Sequence, residues 1–230
     1  MKQFSSSIDI IKKSIQIFSD KKNLEYFLKI GLISLLLNVF YLIPNYLEMF
    51  GSPVTTESLD PILQNPLLLT LGICFVVAVW VLNIWSQTSI YESVRKVLEN
   101  EKLDFKETFK SAWVKLLRFF SVNVLVGLVI VLGFLLLIIP GLIFSIFYSF
   151  ALFEVMSGNS IMNSMKTSKA LVKGRFWSVT KRLVVFSLFA FLVGVVTAFV
   201  PYNLGNLILA LFGSLFILPS YLLYKELKSA

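Results

Sequence analysis

The stretch from residue 119 to residue 156 contains one charged side chain, Glu154, and is otherwise mostly apolar. A soluble domain could not bury so much apolar surface, because the whole chain of 230 residues is 57% hydrophobic and 15% charged. In soluble domains, hydrophobic residues average about 45–50% and charged residues about 25%. A helix of about 20 apolar residues crosses the hydrocarbon core of a bilayer. The sequence therefore predicts a membrane protein, and it excludes a disordered chain, which requires low hydrophobicity.

Six apolar runs approach or reach the length of a membrane span. Pro140 and Gly141 separate the third run from the fourth, and they favour a hairpin tip because proline lacks an N–H and glycine tolerates tight turns. The predicted fold is all-α, a polytopic bundle of about six transmembrane helices that forms a single integral membrane domain over residues 1–230. The predicted spans are 26–44, 67–91, 119–139, 142–156, 183–200 and 204–224.

The basic residues test this topology. All 21 Lys and Arg residues lie in the segments 1–29, 92–118, 157–182 and 225–230. Cytoplasmic loops of membrane proteins collect Lys and Arg. Six spans with both termini in the cytoplasm place every basic residue on that side. This arrangement explains the net charge of +8, so no nucleic-acid partner is expected.

An internal repeat is visible in the second half of the chain. The sequence RFFSV at 118–122 recurs as RFWSV at 175–179, with Ser111 and Ser168 in the same register. Each copy reads as a basic amphipathic helix followed by a two-span unit, and a third, diverged copy is predicted around Ser14. We expect these helices on the cytoplasmic side. The sequence leaves open whether they lie in the headgroup layer or pack on the protein's own surface.

The residue inventory excludes many kinds of catalytic site. The chain has no histidine, which removes Ser-His-Asp and Cys-His systems and His-ligated metals. A single cysteine, Cys74, cannot form an intramolecular disulfide or a Cys-rich zinc site. The charges from Glu92 to Lys110 alternate in sign, which is typical of a solvated helical hairpin. We expect no enzyme activity, no catalytic residue, no metal and no cofactor.

The segment 157–182 carries basic residues and no acid. Basic side chains near a membrane attract anionic lipid by about 1 kcal/mol each. The segment is therefore the predicted contact for anionic lipid or phosphate, with an ordinary positive-inside bias as the alternative. Its basic residues are Lys166, Lys169, Lys173, Arg175, Lys181 and Arg182.

Four polar side chains fall within the predicted spans, where ionisable groups are costly and usually functional. They are Asn38, Asn83, Asn123 and Glu154. For the asparagines we expect hydrogen bonds between helices, with a path for a polar substrate as the alternative. For the glutamate we expect pairing with Lys166 or Lys169, with ligand binding as the alternative.

Three segments of the sequence resemble a known family. LIIPGL at 137–142, ALFE at 151–154 and SKALVKGRFW at 168–177 are similar to the membrane domain that precedes some bacterial glycerophosphoryl diester phosphodiesterases, and to related stand-alone multi-span proteins. The resemblance covers about residues 105–190 and implies a helical bundle in the bacterial inner membrane. Phosphodiesterase activity resides in a separate TIM-barrel domain of about 200 or more residues. This chain has no room for that domain, so the resemblance does not imply the activity.

Two functions are compatible with these patterns. The favoured one is a non-catalytic integral membrane protein that binds or organises membrane lipids or a membrane protein partner. The alternative is a small transporter or permease component, which the repeat and the asparagines within spans would suit. A dry, closed bundle around the asparagines would weaken this alternative, and a water-filled cavity at mid-membrane would strengthen it.

Overall fold

Helices make up most of the described chain. The computed structural model describes residues 5–49, 64–200 and 204–229, with the backbone alone for 38–49. No strand occurs within these ranges, so the all-α prediction is confirmed for them. Their helices are α1 (Ser7–Ser19), α2 (Lys21–Met49), α3 (Pro66–Leu98), α4 (Phe105–Leu136), α5 (Ile138–Phe147), α6 (Ala151–Met156), α7 (Ile161–Val172), α8 (Phe176–Ala198), α9 (Leu204–Leu211) and α10 (Gly213–Lys228).

Four stretches of the described chain are long and apolar enough to cross a membrane. They are α3, α4, α8 and the 19-residue stretch Ile138–Met156, which comprises α5 and α6. Together α9 and α10 make a fifth candidate, bent by 42°. The predicted span 26–44 lies within α2, but its part from residue 38 onward lies outside the residues whose side chains are described, so this span is not tested. For the described residues the structure thus confirms an all-α fold with several helices able to span a membrane, and the count of six stays a prediction.

The turn between α4 and α5 differs from the predicted hairpin tip. The two helices meet at Leu137, which is extended with φ −166°. Pro140 instead fits the first turn of α5, because the N–H that proline lacks would have no helical partner there. Gly141 packs against Phe134, whose ring would lie 2.5 Å from a Cβ at position 141. The glycine therefore permits close packing of α4 and α5 rather than a tight turn.

Two spans predicted from hydropathy are parts of longer helices with side-chain caps. The side chain of Asn65 accepts hydrogen bonds from the N–H groups of Leu67 and Leu68 at the start of α3. At the start of α4, Asp104 accepts one from the N–H of Glu107, and this bond lowers the pKa of Asp104. The helix α4 begins at this cap and runs without a break to Leu136. The predicted amphipathic helix and most of the predicted span 119–139 are therefore parts of one helix.

The bundle has two ends of opposite character. The polar end contains the residues 7–19, 92–115, 150–182 and 221–229. The apolar end contains the residues 67–82, 124–142, 184–199 and 204–208. At the polar end, large side chains such as Phe150 and Tyr221 are completely buried. At the apolar end, Leu135 is 77% exposed and Phe199 is 84% exposed. Soluble proteins rarely leave an apolar surface of this size in contact with water. We therefore expect another apolar phase or partner to cover it.

Both short amphipathic helices pack on the protein. The helix α1 buries Ile10, Ser14 and Phe18, and α7 buries Met165 and Val172 among others. Part of each apolar stripe nevertheless stays exposed, including Ile8 at 60% and Met162 at 58%. Packing on the protein's own surface is therefore observed, and the exposed part of each stripe leaves a headgroup-layer contact as a prediction.

The two predicted repeat copies differ in structure. The segment 118–122 lies inside the continuous helix α4, whereas the second copy is interrupted between α7 and α8 by Gly174, with φ +83°. Ser111 and Ser168 also bond to different partners, a carboxylate and a backbone carbonyl. In the predicted repeat, Pro201 of the second copy corresponds to Pro140 of the first, and Pro201 lies outside the described residues. The repeat therefore stays a prediction.

Candidate functional site

A fully buried carboxylate, Glu92, lies near the C-terminal end of α3 and accepts hydrogen bonds at both oxygens. Arg95, one turn later, donates to them at 2.9 and 3.0 Å. From α4, Ser111 donates at 2.8 Å and Lys115 donates at 2.8 Å. The lysine also donates to the carbonyl of Met156 at 2.8 Å. A buried charge is costly unless it is paired and hydrogen-bonded, so this network holds α3, α4 and α6 together.

Arg95 extends the network beyond Glu92. It donates to Glu99 at 2.5 Å and to Glu101 at 2.9 Å, and the hydroxyl of Tyr221 donates to the other oxygen of Glu99 at 2.8 Å. The hydrogen bond from Arg95 lowers the pKa of Glu101. With a second bond to Glu101, all five guanidinium N–H groups are used. Arg95 therefore has no donor left for an external anion.

The predicted solvated hairpin between Glu92 and Lys110 is wrong in its first part. Glu92, Arg95 and Lys96 are all buried, with side-chain exposures of 0%, 11% and 4%. Its charges form ion pairs instead, since Arg95 pairs with Glu92, Glu99 and Glu101. Sequence spacing alone could not show that the face carrying Glu92 is covered by α4 and α6.

A second buried carboxylate, Glu154 of α6, has different partners from those predicted. Tyr224 donates to it at 2.8 Å and Lys228 lies 3.3 Å away, both from α10, and Asn159 donates to its other oxygen. The predicted pairing with Lys166 or Lys169 is therefore wrong. Those lysines are close in sequence, but the C-terminal end of α10 packs against α6 and supplies the cation instead.

The predicted lipid-contact residues lie on α7, on α8 and in the turn between them. Lys166, Lys169, Lys173 and Lys181 are exposed. No ion pair of the described residues includes any of these four. Trp177 lies between the last two and is 73% exposed. We call these four exposed lysines and the exposed indole the basic surface.

The two arginines of the predicted set are only half exposed and hold chain ends in place. Arg175 donates to the carbonyl of Leu227 at 3.4 Å. Arg182 donates to the carbonyl of Ser5 at 3.0 and 3.2 Å and to Ser178 of its own helix. The planar guanidinium suits such multiple bonds. Their positions are therefore explained by contacts within the protein, unlike those of the four lysines.

Two of the predicted intramembrane asparagines lie in one cavity of about 300 Å³ between α3 and α4. Asn83 donates to the carbonyl of Val79 in its own helix at 3.0 Å. Asn123 faces it from α4 and is exposed. The side chain of Asn38 lies outside the described residues. We call this cavity the carboxamide pocket; its lining is Trp80, Asn83, Ile84, Gln87, Phe119, Phe120, Asn123 and Val124.

Sequence reasoning missed Gln87, the third amide of the pocket. It lies four residues after Asn83, a spacing that places both side chains on the same face of a helix. That signal was present in the sequence. The facing position of Asn123 was not, because it depends on how α4 packs against α3.

Among the described side chains, those of residues 5–37, 64–200 and 204–229, no group of three or more Cys, Asp and Glu residues could hold a metal ion. The described residues instead contain two buried carboxylates whose oxygens accept hydrogen bonds within the protein, an exposed group of lysines, and a pocket with amide donors and acceptors. These features suit binding to anions and to hydrogen-bonding groups.

The chain matches no protein-family model, and neither a curated protein nor a solved structure is similar to it. The resemblance to the membrane domain of glycerophosphoryl diester phosphodiesterases therefore stays a prediction from the three sequence segments.

Proposed function

We propose that the chain is a non-catalytic, multi-pass protein of the bacterial inner membrane that binds anionic lipid headgroups with its basic surface. In this proposal the bundle crosses the membrane six times with the polar end in the cytoplasm. The observation that carries the proposal is the basic surface itself: four exposed lysines outside any ion pair of the described chain, beside an exposed tryptophan.

The apolar end supports the membrane location. None of the most apolar 18-residue window of α3 is buried, and only 11% of the corresponding window of α8 is buried. Lipid tails would cover such surface without leaving backbone groups unpaired, because both segments are helical. The polar end then lies at the headgroups, where Trp177 suits the aromatic belt of a membrane protein.

The difference between the two basic regions supports the assignment of the lipid contact. The cations of Arg95 and Lys115 are bonded to Glu92 and its neighbours. By contrast, the segment 157–182 contains no acid. Uncompensated positive charge next to an exposed indole fits the surface of an anionic bilayer. Such a role requires no catalytic group.

The proposal is tested by lipid titration of the purified full chain, followed by native mass spectrometry. We expect phosphatidylglycerol to bind about tenfold or more tightly than phosphatidylcholine with the same acyl chains, because each lysine contributes about 1 kcal/mol. Replacement of four lysines by glutamine should bring the two affinities close together. The replaced residues are Lys166, Lys169, Lys173 and Lys181.

A matched control removes the same charge from the N-terminal part of the chain. The exposed lysines Lys12, Lys13, Lys21 and Lys22 are replaced by glutamine, and the preference for phosphatidylglycerol should largely persist. Equal binding of both lipids by the unchanged protein contradicts the proposal. So does an equal loss of preference in the control variant.

The transporter alternative is supported by one feature, the carboxamide pocket. Its exposed lining residues, such as Trp80 at 52% and Val124 at 41%, show that it opens sideways to the protein surface. A pocket of this kind suits a lipid more than a solute that must pass along the bundle axis. Uptake of a solute by vesicles that contain the protein, and not by protein-free vesicles, would favour the alternative.

A further inference from the structure

The carboxamide pocket concentrates polar groups on a surface that is otherwise apolar. On α3, the residues Trp80, Asn83 and Gln87 lie at positions i, i+3 and i+7, along one face of the helix. Across the groove, α4 presents Phe120 and Asn123, and the rings of Trp80 and Phe120 pack edge to face at 5.1 Å. The pocket therefore has aromatic walls and three amide groups.

Two of these amides are exposed. Gln87 and Asn123 face the surroundings of the protein, whereas Asn83 is half-buried and bonds to its own helix. Polar groups in contact with lipid tails are costly unless they find a hydrogen-bond partner. The exposed apolar side chains of Val76 at 64% and Leu128 at 53% lie on the same two helices, towards the apolar end.

The depth of the pocket follows from helix geometry. At 1.5 Å per residue, Gln87 lies about 7.5 Å along α3 from Glu92, and Asn83 about 14 Å. On α4, Asn123 lies about 7.5 Å beyond the exposed Arg118. The amides are therefore just below the charged layer of the polar end. In a phospholipid bilayer, the glycerol ester groups likewise lie just below the layer of charged phosphates.

We infer that the carboxamide pocket binds the glycerol ester segment of a membrane phospholipid. The inference rests on the proposed function, since it requires α3 and α4 to lie in a bilayer. The amide N–H groups of Gln87 and Asn123 donate to the ester carbonyls, the headgroup phosphate reaches the level of Arg118, and the acyl chains lie along α3 and α4. The volume of about 300 Å³ suits a segment of a lipid rather than a whole molecule.

The test compares two forms of phosphatidylglycerol, one with ester-linked and one with ether-linked chains. The ether form keeps the headgroup and charge but lacks the carbonyl acceptors. In native mass spectrometry of the full chain, we expect the ester form to bind about three- to tenfold more tightly. The double variant Gln87→Leu with Asn123→Leu should lose this difference. A Thr70→Val control on the same helix should retain it.

The outcomes separate this inference from the proposed function. If the protein prefers phosphatidylglycerol over phosphatidylcholine but binds the ester and ether forms equally, lipid binding at the carboxamide pocket is refuted. Lipid binding at the basic surface is then still supported. If the protein prefers the ester form but shows no headgroup preference, headgroup binding by the basic surface is refuted and ester binding by the pocket is supported. Thermal unfolding of the double variant near the wild-type temperature confirms that loss of preference is not loss of fold.

Photocrosslinking identifies the occupant directly. The reactive amino acid p-benzoylphenylalanine replaces Val124, which lines the pocket and is 41% exposed. Irradiation of the full chain in phosphatidylglycerol bilayers should add the mass of one lipid to the protein. A covalent dimer of the chain in place of a lipid adduct overturns the inference.

Discussion

The two ends of the bundle are held together by different interactions. At the polar end, buried carboxylates such as Glu92 and Glu154 meet cations and hydroxyls from other helices. At the apolar end, helices approach closely at glycines. A Cβ at Gly205 would lie 2.0 Å from the carbonyl oxygen of Thr197, and one at Gly133 would lie 2.9 Å from the Cα of Gly141.

This difference follows from the surroundings that each end requires. In the proposed membrane location, lipid tails cover the apolar end, so hydrophobic burial does not drive its helices together and close backbone packing at small residues takes its place. Near water, apolar cores form, and charges can be buried if every one is paired. Substitutions at the two ends should therefore destabilise the protein in different ways.

Loss of the central cation at the polar end should have the largest effect. Arg95→Met leaves Glu92 with two of its partners and removes the shared donor of Glu99 and Glu101. We expect the free energy of unfolding to fall by about 3–5 kcal/mol, as when one partner of a buried ion pair is removed. Denaturant unfolding in micelles, followed by tryptophan fluorescence, measures it. Arg118→Met removes an exposed arginine as the control, and equal stability of the two variants would refute the role of Arg95.

The second buried carboxylate should be less sensitive. Tyr224→Phe removes one hydroxyl donor from Glu154, which keeps Asn159 and Lys228. We expect a loss of about 1.5–3 kcal/mol, the range for a hydrogen bond to a charged group. The half-buried Tyr148, changed to Phe in the same unfolding measurement, provides the control. A loss no greater than that of the control would mean that the hydroxyl contributes little.

A substitution at the apolar end should act through the backbone rather than through charge. Gly205→Ala places a methyl group against the carbonyl of Thr197, so α8 and α9 must separate. We expect a loss of about 1–3 kcal/mol, typical of overpacking, in the same unfolding assay. Gly194→Ala in α8, where a Cβ meets nothing within 4 Å, serves as the control. If both variants unfold alike, the close contact is not important for stability.

The smallest effect should be a dependence on pH at the polar end. The pKa of Glu101 is lowered because Arg95 donates to it, so this pair stabilises the fold while the carboxylate is ionised. Its contribution is present above the ordinary pKa of 4.5 and is lost as the pH falls through the lowered value. Glu101→Gln should therefore be less stable than the wild type near neutral pH, by an amount that shrinks in acid. A stability difference that is constant with pH would contradict this assignment.

Much of the fold was predictable, and less of the site. Hydropathy located the apolar segments within α3, α4 and α8, because a helix must expose apolar side chains to cross a bilayer. Helix ends were predicted less well, as the continuous α4 shows. The missing acids of segment 157–182 predicted a contact for anionic lipid or phosphate, which stays a prediction, and the structure adds that Lys169 and Lys173 are exposed. The cation beside Glu154 was not, because Lys228 is 74 residues away in the sequence.

The sequence by itself determined that this chain is helical, rich in segments able to span a membrane, and basic along 157–182. These properties depend on composition and local order, which each segment carries without its neighbours. The tertiary structure decided which charges are buried, which stay open, and that Asn83 and Asn123 line one pocket. Such pairings depend on which faces of α3, α4, α6 and α10 meet, and no single segment contains that information.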